Sequence, residues 1–249
     1  MLKNLSTVII VNNEADNIKT CLEALQKVTT DIVIVDSGST DNTPAICEKM
    51  GARVFHYGWK GYAANKNFGA AQCQNDWILS IDADEILSEE LIHKIQKLTL
   101  QNNTVYSLDR ITNYCGDWIY HSGWYPDWKP RIFHKNYVKW EGAFVHETLF
   151  IPNDFSVEKL EGKLFHYSYK TSEDHLKRIE NYAELSAQKM KAAGKKSNFI
   201  KTYFSPVFKF FRTYFFKLGF LDGRSGWTIS KRDAYLVWLK YQKLKALWK

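Results

Sequence analysis

The sequence predicts an α/β fold: a mostly parallel, Rossmann-like sheet flanked by helices, followed by a helical appendage at the C-terminal end. Three observations lead to this prediction. In about the first 100 residues, short β-branched runs alternate with segments whose apolar residues recur at helical spacing. Polar and acidic turns follow these runs, where parallel sheets bind ligands. From about His175 the pattern becomes helical.

Four apolar runs predict buried strands, and the segments that follow them predict helices. The predicted strands are Thr7–Val11, Asp31–Val35, Arg53–Tyr57 and Trp77–Ile81. The predicted helices are Asn17–Val28, Thr43–Met50, Ala63–Cys73 and a segment through about Leu98 that Ser88 caps. Asp41 or Thr43 is expected to cap the second helix. Alternating strands and helices indicate a parallel, doubly wound sheet.

The second half of the chain has a different pattern. After residue 104 the sequence predicts shorter strands and aromatic-rich loops. Three helical segments follow, namely Leu176–Ala193, the aromatic and basic Phe199–Phe220, and a last helix from Lys231. We therefore expect one domain over residues 1–165 and a basic helical appendage over residues 166–249.

Charge divides along the chain in the same way. Residues 1–158 carry 14 basic and 20 acidic side chains, whereas residues 159–249 carry 20 basic and 7 acidic ones. A basic tail on an acidic body indicates an anionic partner for the tail, either nucleic acid, anionic lipid or a phosphorylated acceptor.

The segment Lys201–Lys217 favours the lipid among these partners. It interleaves bulky aromatic side chains with Lys209, Arg212 and Lys217, which is the composition of an interfacial helix on an anionic membrane. Single-stranded nucleic acid is the weaker alternative, because no RNA-binding signature accompanies the segment. Packing of its apolar side in a core is a further alternative. We expect no nucleic-acid partner.

Cysteine usage and hydropathy predict the compartment. The cysteines are scattered and show no zinc spacing, so they are expected to be reduced thiols of a cytosolic protein; they are Cys21, Cys47, Cys73 and Cys115. No segment approaches the ~20 apolar residues of a spanning helix. We expect a cytoplasmic protein, soluble or peripheral at the inner face of the cytoplasmic membrane.

Two acidic turns follow predicted strands. Asp82 and Asp84 come directly after Trp77–Ile81, and paired carboxylates of this kind suit Mg²⁺ or Mn²⁺ together with phosphate oxygens. The alternative is a solvated turn. Asp36 ends the second strand before small residues that let a ligand approach, so its carboxylate can accept a hydrogen bond from a nucleobase. The alternative is a turn that only begins the next helix.

An ordered series of motifs resembles the family 2 glycosyltransferases. The series consists of Thr7–Glu14, Ile32–Thr43, Asn65–Gly69 and Trp77–Glu85. That family comprises inverting enzymes with the GT-A fold, so the resemblance implies a GT-A-like sheet. Three further stretches resemble the narrower branch of lipopolysaccharide inner-core glucosyltransferases, namely Trp140–Glu147, Leu164–Tyr169 and Phe220–Gly223 with Gly226.

The resemblance implies a role for each matching residue. Asp36 and Glu14 would hold the nucleoside, with Val11, Asp82 and Ala83 also in the nucleotide-sugar site. Lys66 would lie near the uridine or the diphosphate. Asp84 would ligate Mg²⁺ or Mn²⁺, and His166 would complete the metal site, although a structural histidine is the alternative there. The family's usual tyrosine after the first strand is absent from Val11–Glu14, and its usual Glu-Asp is here His146-Glu147.

Glu147 is the expected catalytic base. Inversion needs one carboxylate to take the proton of the acceptor hydroxyl, and glutamate is ionised at neutral pH. The alternatives are Asp117 and Asp127, which lie in an aromatic loop, Tyr114–Trp128, that we interpret as acceptor-binding, with plain loop packing as its alternative. Pairing of Glu147 with His146 or a lysine is the structural alternative for that residue.

The sequence therefore predicts a hexosyltransferase. The resemblance implies a UDP-sugar donor, with UDP-glucose favoured. It also implies a lipid-linked saccharide acceptor such as a heptose of the lipopolysaccharide inner core. A polyprenyl-phosphate sugar transferase of the same fold is one alternative. A non-catalytic membrane or nucleic-acid adaptor is the other, and the acidic residues of the strand-end turns argue against it.

Overall fold

The computed structural model describes residues 1–142 and 147–248, which form two compact units. The sheet unit comprises Met1–Arg110 and Asp127–His166, and the helical unit comprises Ile111–Pro126 and Tyr167–Lys249. The mixed α/β class with C-terminal helices is thus confirmed.

The sheet unit begins with alternating strands and helices. Its first strands are β1 (Leu5–Val11), β2 (Asp31–Asp36), β3 (Arg53–His56), β4 (Trp77–Asp82) and β5 (Glu85–Leu87). Its helices are α1 (Ile18–Leu25), α2 (Thr43–Lys49), α3 (Tyr62–Gln72) and α4 (Glu89–Gln96). The later strands are β6 (Thr104–Tyr114), β8 (Asp127–His134), β9 (Lys139–Glu141), β10 (Thr148–Phe150) and β11 (Ser156–Tyr169). The last residues of β6 and β11 belong to the helical unit.

The predicted strands form the parallel half of the main sheet. The strand order is β3-β2-β1-β4, followed by β8, β6, β11 and β5. The register pairs Val11 with Asp36 and Ile10 with Asp82, so the carboxyl ends of three strands lie level. The β-branched runs are buried because helices cover both faces of a parallel sheet.

One glycine shows how closely α3 packs on this sheet. A Cβ atom on Gly69 would lie 2.6 Å from Val8 Cγ1 and 2.7 Å from Val35 Cγ2. Both valines are buried, and neither can retreat far in a close-packed core. Glycine at this position therefore lets the helix lie directly against β1 and β2.

The antiparallel strands bring further residues to the turn that follows β4. β8 runs antiparallel to β4 and to β6, and β5 runs antiparallel to β11. The β5–β11 register pairs His166 with Glu85, next to the turn after β4. The predicted cap of α4 is confirmed, since the Ser88 side chain accepts a hydrogen bond from the Leu91 N–H. The predicted cap of α2 is wrong: Asn42 occupies that position, and Asp41 accepts from the Thr43 N–H at 2.9 Å within the preceding turn.

The helical unit contains β7 (Asp117–Trp118), α5 (Ser172–Ala192), α6 (Phe199–Phe211) and α7 (Gly223–Leu247). The predicted helix over Phe199–Phe220 is broken, because α6 ends at Phe211 and a π turn and a 3₁₀ turn follow. The last helix begins at Gly223 rather than at Lys231. Small residues explain this start, since a Cβ atom on Gly226 would lie 1.8 Å from the Gly219 carbonyl oxygen. Among the described helices, none combines the length and hydrophobicity that a bilayer crossing requires.

Candidate active site

The candidate site is built on the level carboxyl ends of β1, β2 and β4. The Ser37 N–H donates to the Val11 carbonyl at 3.0 Å, which continues the β1–β2 pairing into the turn. A cavity of about 430 Å³ opens beside these turns. Its lining consists of Ile10, Val11, Asn12, Glu14, Ser37, Trp59 and Tyr62. Two predicted site residues, Val11 and Glu14, therefore line a cavity of ligand size.

Asp36 is buried behind the turn that borders this cavity. Its carboxylate accepts from the Ser39 N–H at 3.1 Å and lies 3.0 Å from His56 Nδ1. Burial opposes ionisation of this carboxyl, but the hydrogen bonds from Ser39 and His56 outweigh it and lower the pKa of Asp36 below its usual value. Asp36 is thus an ionised group that also holds its own turn together. Its contact with a nucleobase stays a prediction.

The structure brings three predicted residues together around one buried ammonium. Lys66, on the buried face of α3, is only 3% exposed. Its Nζ lies 3.1 Å from Asp82 Oδ1 and 3.4 Å from Glu147 Oε1. The same Nζ lies 4.5 Å from the centroid of the Trp140 ring. Lys66 is therefore held between two carboxylates and an aromatic face. Its charge interacts strongly with these groups because the site is buried.

A second cation on Asp82 was not anticipated. Arg131 Nη2 lies 2.7 Å from Asp82 Oδ2 and 2.5 Å from Glu85 Oε1, and Arg110 reaches Glu85 at 3.2 Å. Burial disfavours the ionised form of Asp82, but Arg131 and Lys66 hold its pKa far below the usual range. The charge of Asp82 is thus already balanced by two side chains of this protein. The metal role of Asp84 stays a prediction.

Sequence reasoning missed Arg110 and Arg131 for a clear reason, and it gave no role to Glu85 within the motif Trp77–Glu85. Arg131 lies in β8 and Arg110 in β6, both far along the chain from the acidic turn. Only the pairing of β8 with β4 and β6 brings these side chains to the acidic turn. A weak signal was available, because charged residues inside otherwise apolar strands are expensive to bury without partners.

Asp84 and His166, the two residues predicted to hold the metal, lie next to each other. Asp84 Oδ2 lies 3.3 Å from His166 Nε2, and both side chains are largely buried. A carboxylate and an imidazole that converge in this way fit Mg²⁺ or Mn²⁺, which commonly take one or two protein ligands and complete their coordination with water and substrate phosphates. Within residues 1–142 and 147–248, no group of three or more histidine, cysteine, aspartate or glutamate side chains could hold a metal. A diphosphate would therefore have to supply further oxygens.

The remaining predicted residues fall in several environments. Ala83 is buried among core side chains, so only its backbone is available to a ligand. Asp127 is bound by Arg110 and Lys129, which keep its pKa low despite burial and make it a poor base. Asp117 accepts from the Ser225 hydroxyl at 2.6 Å in the helical unit. Val145 and His146 lie outside the described residues.

Part of the aromatic loop serves packing. Tyr114 is buried in the helical unit, where its ring contacts Trp124, Tyr169 and His175. Tyr120, by contrast, is half exposed. The acceptor-binding interpretation of the loop is therefore wrong for Tyr114, which lies in a core, and stays a prediction for the exposed Tyr120.

Comparison with known proteins identifies the class of protein. The family model described as glycosyl transferase family 2 matches residues 6–159, which is more than half of the chain. This protein therefore belongs to glycosyl transferase family 2. The matched stretch contains the three strand ends, Lys66, Asp84 and Glu147.

Individual relatives cover nearly the whole chain. An uncharacterized glycosyltransferase of Rickettsia prowazekii is 27% identical over 99% of this chain and 88% of its own length. The lipopolysaccharide core biosynthesis glycosyltransferase LpsC of Rhizobium meliloti is 28% identical over 96% of this chain and 91% of its own. Among solved structures, residues 1–349 of TarS from S. aureus are similar with a TM-score of 0.44 and 15% identity, over 74% of this chain and 64% of that one.

Proposed function

We propose that this family 2 glycosyltransferase is an inverting, metal-dependent enzyme. It transfers a hexose, with glucose as the favoured sugar, from UDP to a lipid-linked saccharide. One observation carries the proposal. A potential base, Glu147, and a potential metal pair, Asp84 with His166, accompany a cavity at the strand ends where α/β sheets bind ligands. The sheet unit would then be the catalytic part; it differs from the predicted domain over residues 1–165 in lacking residues 111–126.

Glu147 would act as the base. Its carboxylate takes the proton of the acceptor hydroxyl while that oxygen forms a bond to the anomeric carbon. The bond between the anomeric carbon and the diphosphate oxygen breaks on the opposite side, which inverts the configuration, and UDP leaves. Lys66 Nζ, 3.4 Å from Glu147 Oε1, would hold this carboxylate in position for the step.

Asp84 and His166 are the residues that would hold Mg²⁺ or Mn²⁺. A divalent cation bound there supplies positive charge that stabilises the departing diphosphate. Lys66 and Arg131 fix Asp82 so that the turn leading to Asp84 keeps its shape. Preorganised charge of this kind acts in the transition state without further rearrangement.

The acceptor is proposed from the relatives and the tail. LpsC is named for lipopolysaccharide core biosynthesis and matches along nearly the full chain. We therefore favour a heptose of a lipopolysaccharide inner core as acceptor over a polyprenyl phosphate. A non-catalytic adaptor is disfavoured, because an adaptor would have no use for the pairing of Asp84 with His166 or of Lys66 with Glu147.

The helical unit is proposed to attach the enzyme to an anionic membrane, at the inner face of the cytoplasmic membrane. In and after α6, Phe204, Phe208 and Phe216 are 61%, 64% and 76% exposed. Exposed phenylalanines beside the exposed basic residues Lys201 and Arg212 suit an interfacial helix on anionic lipid. Lys209, by contrast, pairs with Asp233 at 2.9 Å, so it adds less to the attraction than its charge implies.

A donor panel tests the proposed function. Purified protein would be incubated with UDP-glucose, UDP-galactose, GDP-mannose and ADP-heptose, each with Mn²⁺ and with EDTA, together with delipidated lipopolysaccharide core as acceptor. We expect release of UDP from UDP-glucose, dependent on both acceptor and metal. Release that is equal in EDTA would contradict metal dependence, and no turnover with tight nucleotide binding would favour the adaptor.

A further inference from the structure

Two aromatic side chains line the cavity that no motif had marked. Trp59 and Tyr62 are 51% and 38% exposed, in a unit whose other large apolar side chains are mostly buried. Their rings meet edge to face, with centroids 4.7 Å apart. Exposed aromatic faces at a cavity wall are surfaces on which planar or apolar ligands stack.

The loop that carries Trp59 is tied down on both sides. Asn65 is fully buried in α3, and its side-chain oxygen accepts from the Lys60 N–H at 3.0 Å. Its amide nitrogen donates to the Tyr57 carbonyl at 3.3 Å and to the Ser37 hydroxyl at 3.0 Å. One buried side chain thus fastens the backbone before and after Trp59 to the turn that follows β2.

A second contact stiffens the same loop. The Tyr57 ring stacks on Phe68 of α3, with centroids 3.9 Å apart and planes 5° from parallel. The Tyr57 N–H also donates to the Asp36 carbonyl at 2.9 Å. Because the backbone on both sides of Trp59 is fixed, ligand binding would have to order only the indole side chain and not the loop.

We propose that Trp59, supported by Tyr62, is the wall on which the nucleobase of the donor stacks. This inference rests on the proposed function and deepens it. The cavity joins this aromatic wall to Val11, Glu14 and Ser37, which offer backbone and side-chain groups to the edge of a base. A nucleobase has both a flat π face and a hydrogen-bonding edge, and the cavity supplies a partner for each.

The segment after β1 supplies no aromatic ring to this cavity. Val11–Glu14 contains no aromatic residue. Trp59 reaches the same cavity from the loop after β3 and supplies an aromatic face there. The aromatic surface is thus provided from a different element of the sheet unit.

Calorimetric titration with Mn²⁺ present tests the inference, using UDP and pyrophosphate as probes on the wild type, W59A and W59F. Tyr137→Ala is the matched control, because Tyr137 is a similarly exposed aromatic of the sheet unit that does not line the cavity. We expect W59A to weaken UDP binding on the order of 10- to 100-fold, the usual effect of removing one stacking side chain. W59F should restore most of the affinity, and pyrophosphate binding should not change.

The outcomes separate this inference from the proposed function. If the wild type binds UDP and W59A binds it equally well, the stacking wall is wrong while the proposed donor survives. If W59A weakens pyrophosphate as much as UDP, Trp59 acts on the diphosphate or on folding and the inference fails. UDP-glucose is titrated as a third probe. If W59A weakens the binding of UDP-glucose but not that of UDP, the indole contacts the sugar, which also overturns the inference. A wild type that binds no UDP contradicts the proposed function itself.

Discussion

The sheet unit and the helical unit treat large apolar side chains in opposite ways. In the sheet unit, Ile9, Ile34 and Leu79 are fully buried, and charged groups gather in pairs at the strand ends. In the helical unit, Phe204 and Phe208 of α6 remain mostly exposed to solvent. The difference is the one that the proposed division of labour requires, because fixed charges in a buried setting suit chemistry and exposed aromatic surface suits attachment.

The charges of the two units differ in availability as well. In the sheet unit, Lys66 and Arg131 are buried, and both form ion pairs with the Asp82 carboxylate. In the helical unit, Lys201 and Arg212 are exposed, where salt screens them. Variants that impair the proposed task of one unit and leave that of the other intact test this difference.

The largest expected effect is that of Asp84→Ala. Without this carboxylate the metal loses a protein ligand, so transfer should be abolished and Mn²⁺-dependent UDP binding weakened. Attachment to vesicles should stay normal. The measurement is UDP release together with UDP titration in Mn²⁺, and Asp154→Ala, an exposed aspartate of the sheet unit, is the control. Full wild-type activity in EDTA would contradict the prediction.

The second largest effect on activity is expected for Glu147→Gln. The amide keeps the shape of the side chain but cannot take a proton, so turnover should fall ~10²-fold or more while UDP binding stays near normal. Steady-state kinetics beside UDP titration separate the two effects. Glu141→Gln removes a neighbouring exposed carboxylate and should retain activity. Near-normal turnover of Glu147→Gln, with loss in Asp117→Asn, would show that the base is misassigned.

The double variant Phe204→Ser/Phe208→Ser should weaken attachment to anionic vesicles about 10- to 100-fold. Two phenylalanines that are each about half buried at the interface together contribute roughly 1.5–3 kcal/mol. Donor hydrolysis in solution should barely change. Cosedimentation with anionic and neutral vesicles at low and high salt is the measurement. Tyr182→Ser, an exposed tyrosine on α5, is the control. Equal binding of the wild type to both vesicle types, or to neither, would assign the tail another role.

The smallest expected effect is a difference in acid sensitivity. Burial, with Arg232 and Arg178 nearby, lowers the pKa of His175 in the helical unit to about 4. The unfolded chain binds this proton more readily, so stability should be lost as pH falls from about 6.5 to about 4.

The sheet unit should behave differently over the same range. Asp31 and Asp36 have lowered pKa values, because hydrogen bonds from Ser6 and Ser39 among others outweigh burial, and their stabilisation is present above about pH 3.9 and lost only below it. Hydrogen exchange followed against pH should therefore show the helical unit loosening first. Substitution His175→Phe should reduce that sensitivity, and loosening of both units together would contradict the assignment.

Local pattern predicted the fold and the strand ends well, because β-branched runs and the Ser88 cap depend on neighbouring residues. The Arg131 contacts could not be predicted, since they depend on which strands pair. The early start of α7 could not be predicted either, since it depends on the close packing of Gly226 against the Gly219 carbonyl. The catalytic and binding roles of Asp84, His166 and Glu147 stay predictions.

One measurement tests the division of labour directly: radiolabelled UDP and protein are both counted in the pellet of anionic vesicles with Mn²⁺ present. The wild type should carry UDP into the pellet. Asp84→Ala should sediment with little UDP, whereas Phe204→Ser/Phe208→Ser should stay in the supernatant with its UDP bound. If the double phenylalanine variant still carries UDP into the pellet, or if Asp84→Ala fails to sediment, the two tasks are not divided between the two units.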